Sequence, residues 1–160
     1  MPPRTARLTP DGLKVVVQRL AGLAIDDAHI QRWVGVAMAG LTGEVTVRLV
    51  EREESASLNR RYRHKDQPTN VLSFPAEPLP MAIENELPPL GDLVLCVPLI
   101  AAEAEAQGKA LDAHWAHLLI HGCLHLRGFD HETTSAAEVM EAEERNLMGS
   151  LDFADPYRSA

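Results

Sequence analysis

The sequence predicts one domain of mixed helices and strands, on three observations. First, 160 residues that are 46% hydrophobic suffice to bury roughly two-thirds of the surface the unfolded chain would expose. Second, short β-branched or alternating runs interleave with helix-period stretches through the first hundred residues. Third, the last third is helical in pattern and contains "HGCLHLRGFDH", residues 121–131, with three histidines, two glycines and an aspartate. Aromatic residues make up only 4% of the chain, so the core must rest on Leu, Val, Ile and Ala.

After a polar lead-in, "LKVVVQRL" (13–20) reads as a strand, although Leu20 and Leu23 would also continue a helical pattern. "DDAHIQRWVGVAMAGL" (26–41) opens on aspartates suited to an N-cap, sets Ile30, Trp33, Val34 and Ala37 at helical spacing, and ends near Gly40 and Gly43. "EVTVRLVE" (44–51) alternates Val45, Val47 and Leu49 with polar residues and is a half-buried strand. "REESASLNRRYRHK" (52–65) is a short helix with a basic end. "PTNVLSFP" (68–75) is a strand whose prolines suit the edge of a sheet. The Pro- and Glu-rich "AEPLPMAIENELPPLG" (76–91) is a loop, and "DLVLCVPLI" (92–100) a buried strand. "AAEAEAQGKALDAHWAHLLIHGCLHLRG" (101–128) gives two helices, broken near Gly108 and stopped at Gly128. "TSAAEVMEAEERNLMGSL" (134–151) is a last helix, capped by Thr134 or Ser135, with Val139, Met140 and Leu147 on its core face.

A formal charge of −8 excludes a surface coated in phosphate-binding lysines, so any nucleic-acid contact must be local. Cys96 and Cys123 each lie in an apolar run without a CxxC pair and read as buried thiols. "MPPRTARLTPDG" lacks the apolar core of a signal peptide, and no run approaches the ~20 apolar residues that span a bilayer. These features predict a protein of a reducing cytoplasm without membrane partners.

The histidines carry the chemistry. His121 and His125 are four apart on one helix, so both imidazoles project from one face. Gly128 allows a left-handed exit from the helix, after which His131 can return to the same point. Three neutral nitrogens at about 2.0–2.1 Å with a fourth position open is the pattern of a catalytic zinc. Cys123 lies on another face and is a poor fourth ligand. His29, His64, His114 and His117 read as ordinary hydrogen-bonded residues; His117, His121 and His125 together would spread their nitrogens over about 12 Å of straight helix. The spacing HxxxHxxGxxH is also that of zinc peptidases whose general base is a glutamate directly after the first histidine. Here that position is Gly122, which disfavours peptide hydrolysis by on the order of 10² to 10⁴ in rate. An open zinc site without that base suits an anionic substrate such as a phosphodiester, which also needs cations. Arg60, Arg61, Arg63 and Lys65 supply a basic cluster; alone it would be a solvated helix end, beside the zinc it becomes a phosphate clamp. "VLSFP", as an edge strand, would then wall a cleft for a single strand.

"LNRRYRHKDQPTNVLSFP", "GDLVLC" and "HGCLHLRGFDH", in this order, resemble the YbeY family of bacterial endoribonucleases and rRNA maturation factors, over most of the chain from about Val45 to "DPY". The resemblance implies an α+β fold with a small mixed β-sheet packed with helices and a zincin-like site, over a single domain spanning residues 1–160. It implies one zinc ion per chain on His121, His125 and His131, and a catalytic arginine matching Arg63 but not Arg60 or Arg61. It further implies cleavage of single-stranded rRNA in 16S 3′-end maturation and ribosome quality control on the small subunit, with a ribosomal protein and an assembly GTPase as partners. Phe129 stands where tyrosine is common, and "MAIENELPP" (81–89) is less typical. The rivals are a peptidase, opposed by Gly122, and an assembly factor that binds RNA without cutting it.

Overall fold

The computed structural model describes residues 4–22, 25–77 and 86–158. In chain order its elements are β1 (Arg4–Leu8), β2 (Leu13–Arg19), α1 (Asp27–Ala37), β3 (Gly43–Val50), α2 (Arg52–Arg63), β4 (Val71–Pro75), β5 (Pro89–Cys96), α3 (Val97–Gln107), α4 (Leu111–Leu126) and α5 (Thr134–Ser150). The strands form one mixed sheet in the order β1-β2-β3-β5-β4. Its centre, β2-β3-β5, is parallel, and β1 and β4 are antiparallel edges. A mixed α+β fold with a small sheet is as expected, and "VLSFP" is indeed an edge strand.

Strand alternation gives the sheet two faces. Val15, Val17, Val45, Val47, Leu49, Leu93 and Leu95 join the main core with α1 and α4. Val50, Leu72 and Val94 form a smaller cluster against which Leu58 of α2 and Phe74 pack. α4 is apolar nearly all round, burying Trp115, Leu118, Leu119, Ile120 and Leu124, because it lies between the sheet and the other helices. That central helix carries the histidine motif.

Four expectations shift. The lead-in contains β1: all five of its residues are exposed, so burial leaves no alternation in the sequence, and the strand is made by backbone pairing from Arg4↔Gln18 to Leu8↔Lys14. The loop is shorter than expected, because β5 begins at Pro89; residues 78–85 of that loop, like Leu23, lie outside the described residues. The buried strand ends at Cys96, and "VPLI" opens α3 with Pro98 in its first turn, where a missing N–H costs nothing. The cap of α5 is Thr133, one residue early, whose Oγ1 accepts from the Ala136 amide at 3.0 Å. Val139 is a further departure, exposed on α5 while Met140, Glu144 and Leu147 form the buried stripe, because the face of that helix is set by how it packs on α4; by contrast, the Asp26 side chain caps α1 through the His29 amide at 2.9 Å, and Gly108 ends α3 with φ 65°.

Candidate metal centre

α4 ends with His121 and His125 one turn apart. Gly128 then takes φ 95°, and the Phe129 amide donates back to the Leu124 carbonyl at 3.0 Å, so the chain doubles over the helix end and brings in His131. The ring centroids of His121, His125 and His131 are 4.7, 5.1 and 5.7 Å apart. One nitrogen from each lies within 4.8 Å of the others. Among the described residues these three are the one group of histidine, cysteine or carboxylate side chains gathered tightly enough to hold a metal ion.

The hydrogen bonds orient the rings. His125 Nδ1 lies 3.0 Å from the Phe129 carbonyl, which can only accept, so Nδ1 carries the proton. His121 Nδ1 likewise donates to Glu144 Oε1 at 2.6 Å. In the neutral rings both Nε2 atoms, 3.1 Å apart, are left with lone pairs facing one another, an arrangement that a shared cation relieves. The donor set therefore fits one divalent ion of the kind that imidazole nitrogens bind. Burial lowers the His125 pKa, reinforced by positive charge on His121 and His131 and by Arg63, against the Phe129 carbonyl. A ring kept neutral is ready to ligate.

His117 stays outside the cluster because its Nε2 is bonded to Glu144 Oε2 at 2.8 Å. His114 is buried against Glu103 at 3.0 Å, His29 pairs with Asp26 at 2.6 Å on the surface, and His64 is the exposed left-handed cap of α2. Both cysteines are buried, and burial pushes the Cys123 thiol up to about 12.

The histidines open into a cleft of about 220 Å³ between α4 and β4, lined also by Arg63, by Ser73 of β4 and by Asn70 just before that strand. Of the basic cluster only Arg63, the last residue of α2, lines this cleft. Arg60 pairs with Asp66 at 3.2 Å, and the Arg61 guanidinium lies 5.5 Å over the Tyr62 ring. Asn70 is held by Glu103 at 3.1 Å, and the Ser73 hydroxyl donates to the Gly122 carbonyl at 3.3 Å. A Cβ on Gly122 would meet Leu93 Cδ2 at 2.8 Å and Ser73 Oγ at 3.2 Å. The glutamate of a zinc peptidase therefore has no room here.

Two residues at the site escaped the sequence. Glu144 is fully buried on α5, and Tyr157 lines the cleft from the C-terminal turn. Glu144 had a signal: with Met140 and Leu147 it falls on one helical stripe, an acid where an apolar residue is expected. Burial raises the Glu144 pKa, but hydrogen bonds from His117, His121 and Tyr157 outweigh it and bring the pKa down to about 2.

Fold and site together define a small α+β protein with an open three-imidazole centre able to hold one metal ion. A family model described as Endoribonuclease YbeY matches residues 12–152, and this chain belongs to that family, whose members are nucleases that hydrolyse RNA. A relative named Endoribonuclease YbeY from Pseudomonas entomophila is 52% identical over 148 residues, 91% of this chain and 93% of its own. Another of that name, from Stutzerimonas stutzeri, is 53% identical over 138 residues, 85% of each chain. A solution structure of a Thermotoga maritima protein aligns with a TM-score of 0.49 at 23% identity, over 89% of this chain and 99% of that one.

Proposed function

We propose that the chain, acting as one domain, is a zinc-dependent endoribonuclease that cuts single-stranded RNA in 16S rRNA 3′-end maturation and ribosome quality control. His121, His125 and His131 hold one zinc ion, and Arg63 is the catalytic arginine. The setting is cytoplasmic, on the small ribosomal subunit, with a ribosomal protein and an assembly GTPase as partners. One observation carries this conclusion: the single arginine that lines the cleft stands at the same opening as three imidazole nitrogens.

A zinc ion so held supplies Lewis-acid chemistry toward phosphoryl oxygen and water. The chain does the rest. Arg63 offers a planar fork to the nonbridging oxygens of the scissile phosphate and stabilises the charge that grows on them. It has no carboxylate within ion-pair distance among the described residues, so its charge is free for substrate. Ser73 on β4 and Asn70 just before it line the same cleft and offer hydrogen-bonding partners to the sugar–phosphate chain.

The test is cleavage of an end-labelled single-stranded RNA by matched, metal-analysed wild type, His125→Ala and Arg63→Ala. Wild type is expected to cut and both folded variants to lose at least about tenfold, in keeping with the removal of one group stabilising a developing charge. Equal cutting by all three would assign the activity to a contaminant. RNA binding without any cutting by wild type would favour the assembly-factor reading. The ends of the products tell whether water or the RNA's own 2′-hydroxyl attacks.

A further inference from the structure

One buried carboxylate joins the histidine cluster to the end of the chain. Glu144 has no exposed surface, and both of its oxygens are engaged. Oε1 accepts from His121 Nδ1 at 2.6 Å, while Oε2 accepts from His117 Nε2 at 2.8 Å and from the Tyr157 hydroxyl. A carboxylate buried without such donors would be strongly unfavourable, so these bonds are what allow an acid between Met140 and Leu147. Tyr157 is itself fixed from several sides. Asp155 accepts from the Tyr157 amide at 2.8 Å and from Arg145 Nε at 3.1 Å. The Arg145 guanidinium lies 5.3 Å over the Tyr157 ring, which meets the His117 ring edge-on, also at 5.3 Å. The C-terminal turn is thus tied to α5 and touches the cluster through Glu144.

We propose that Glu144 is a positioning residue for His121, that Tyr157 holds Glu144 in place, and that docking of the C-terminal turn thereby tightens metal binding. This rests on the three histidines being the metal ligands. An imidazole can carry its proton on either nitrogen, and only the tautomer protonated at Nδ1 presents a lone pair at Nε2. The carboxylate at Nδ1 selects that tautomer, makes the ring a stronger donor to a metal and stops it from rotating out of the cleft. His121 needs this restraint because its side chain keeps 25% of its surface exposed. Tyr157 and His117 together anchor Oε2, which leaves Oε1 directed at His121. Without the phenol hydroxyl, one of the two anchors is lost.

The test measures zinc affinity, by competition with a chromophoric chelator, for the full-length wild type, Glu144→Gln and Tyr157→Phe. Thermal melts of the metal-free proteins and imidazole ¹⁵N NMR of His121 accompany it. Glu144→Gln is expected to bind zinc about ten- to a hundredfold more weakly and to show mixed His121 tautomers, where metal-free wild type shows the Nδ1–H form. Tyr157→Phe, which keeps the ring, is expected to lose several-fold in affinity with a cooperative melt. A folded Glu144→Gln that binds zinc within about twofold of wild type with an unchanged tautomer overturns the proposal. If Glu144→Gln does not fold, Tyr157→Phe decides by the same criterion. If wild type itself binds no zinc, the three-histidine reading falls, and this proposal with it. Wild-type-like affinity in the variants removes the positioning role alone.

Discussion

Gly122 is the residue at which the histidine motif meets the sheet. Its missing side chain lets α4 lie against Leu93 and Ser73, so the histidines sit directly beside β4 and the cleft has its wall. Gly122→Glu, which completes the zinc-peptidase spacing, is therefore expected to lower stability by at least about 2 kcal/mol through overpacking and a buried charge. It is not expected to confer peptidase activity; urea melts and a casein assay check both. Glu144 makes a second residue-scale prediction. Its folded pKa of about 2 lies below the ordinary 4.5, so between these values the unfolded chain binds the extra proton. Its contribution to stability is complete above about pH 4.5 and is lost as pH falls toward 2. In metal-free protein the gap in urea midpoint between wild type and Glu144→Gln should therefore narrow from pH 6 to pH 3. At this scale the three histidines were legible because ligand geometry is local to one helix end and one glycine. Glu144 was not, because an acid within "EAEER" reads as solvated unless its place on the buried stripe is weighed above its charge. His117 lies outside the group of three, and its bond to Glu144 depended on how α4 and α5 pack.

At the scale of elements, the amphipathic ones were readable and the boundaries without a period were not. α1 and β3 alternate at their own periods, and the structure keeps them. "VPLI" is apolar throughout, so strand and buried helix look alike there; Pro98 was the sign that a helix begins. β1 left no hydrophobic signal, because an edge strand exposed on both faces is specified by its neighbour's backbone. The α5 cap rests on Thr133, so Thr133→Ala should cost about 1 kcal/mol, whereas Thr134→Ala and Ser135→Ala should be near neutral. Urea denaturation of the three variants distinguishes these positions.

For the whole molecule, a charge of −8 meets a substrate of the same sign, so binding must come from a few well-placed cations. Only Arg63 enters the cleft, and the remaining arginines of the α2 end sit outside it. The affinity of wild type for a short single strand should consequently fall only gently with salt, as expected for a few phosphate contacts at roughly 0.7 per contact in the slope of log K against log salt. Arg63→Ala should reduce that slope by about one contact, which fluorescence anisotropy across a salt series would read. Among the described residues no helix is long and apolar enough to cross a membrane. The basic cluster and the histidines were joined in the sequence by chemistry and by resemblance alone; that Arg63 and the histidines line one cleft comes from the strand order, which sets β4 beside β5, and from the packing of α4 on β4.

The parts of the cleft are scattered from Arg63 through His131 to Tyr157. The cleft therefore cannot form before the chain through His131 has been made, and Tyr157 joins it only once α5 has folded back on α4.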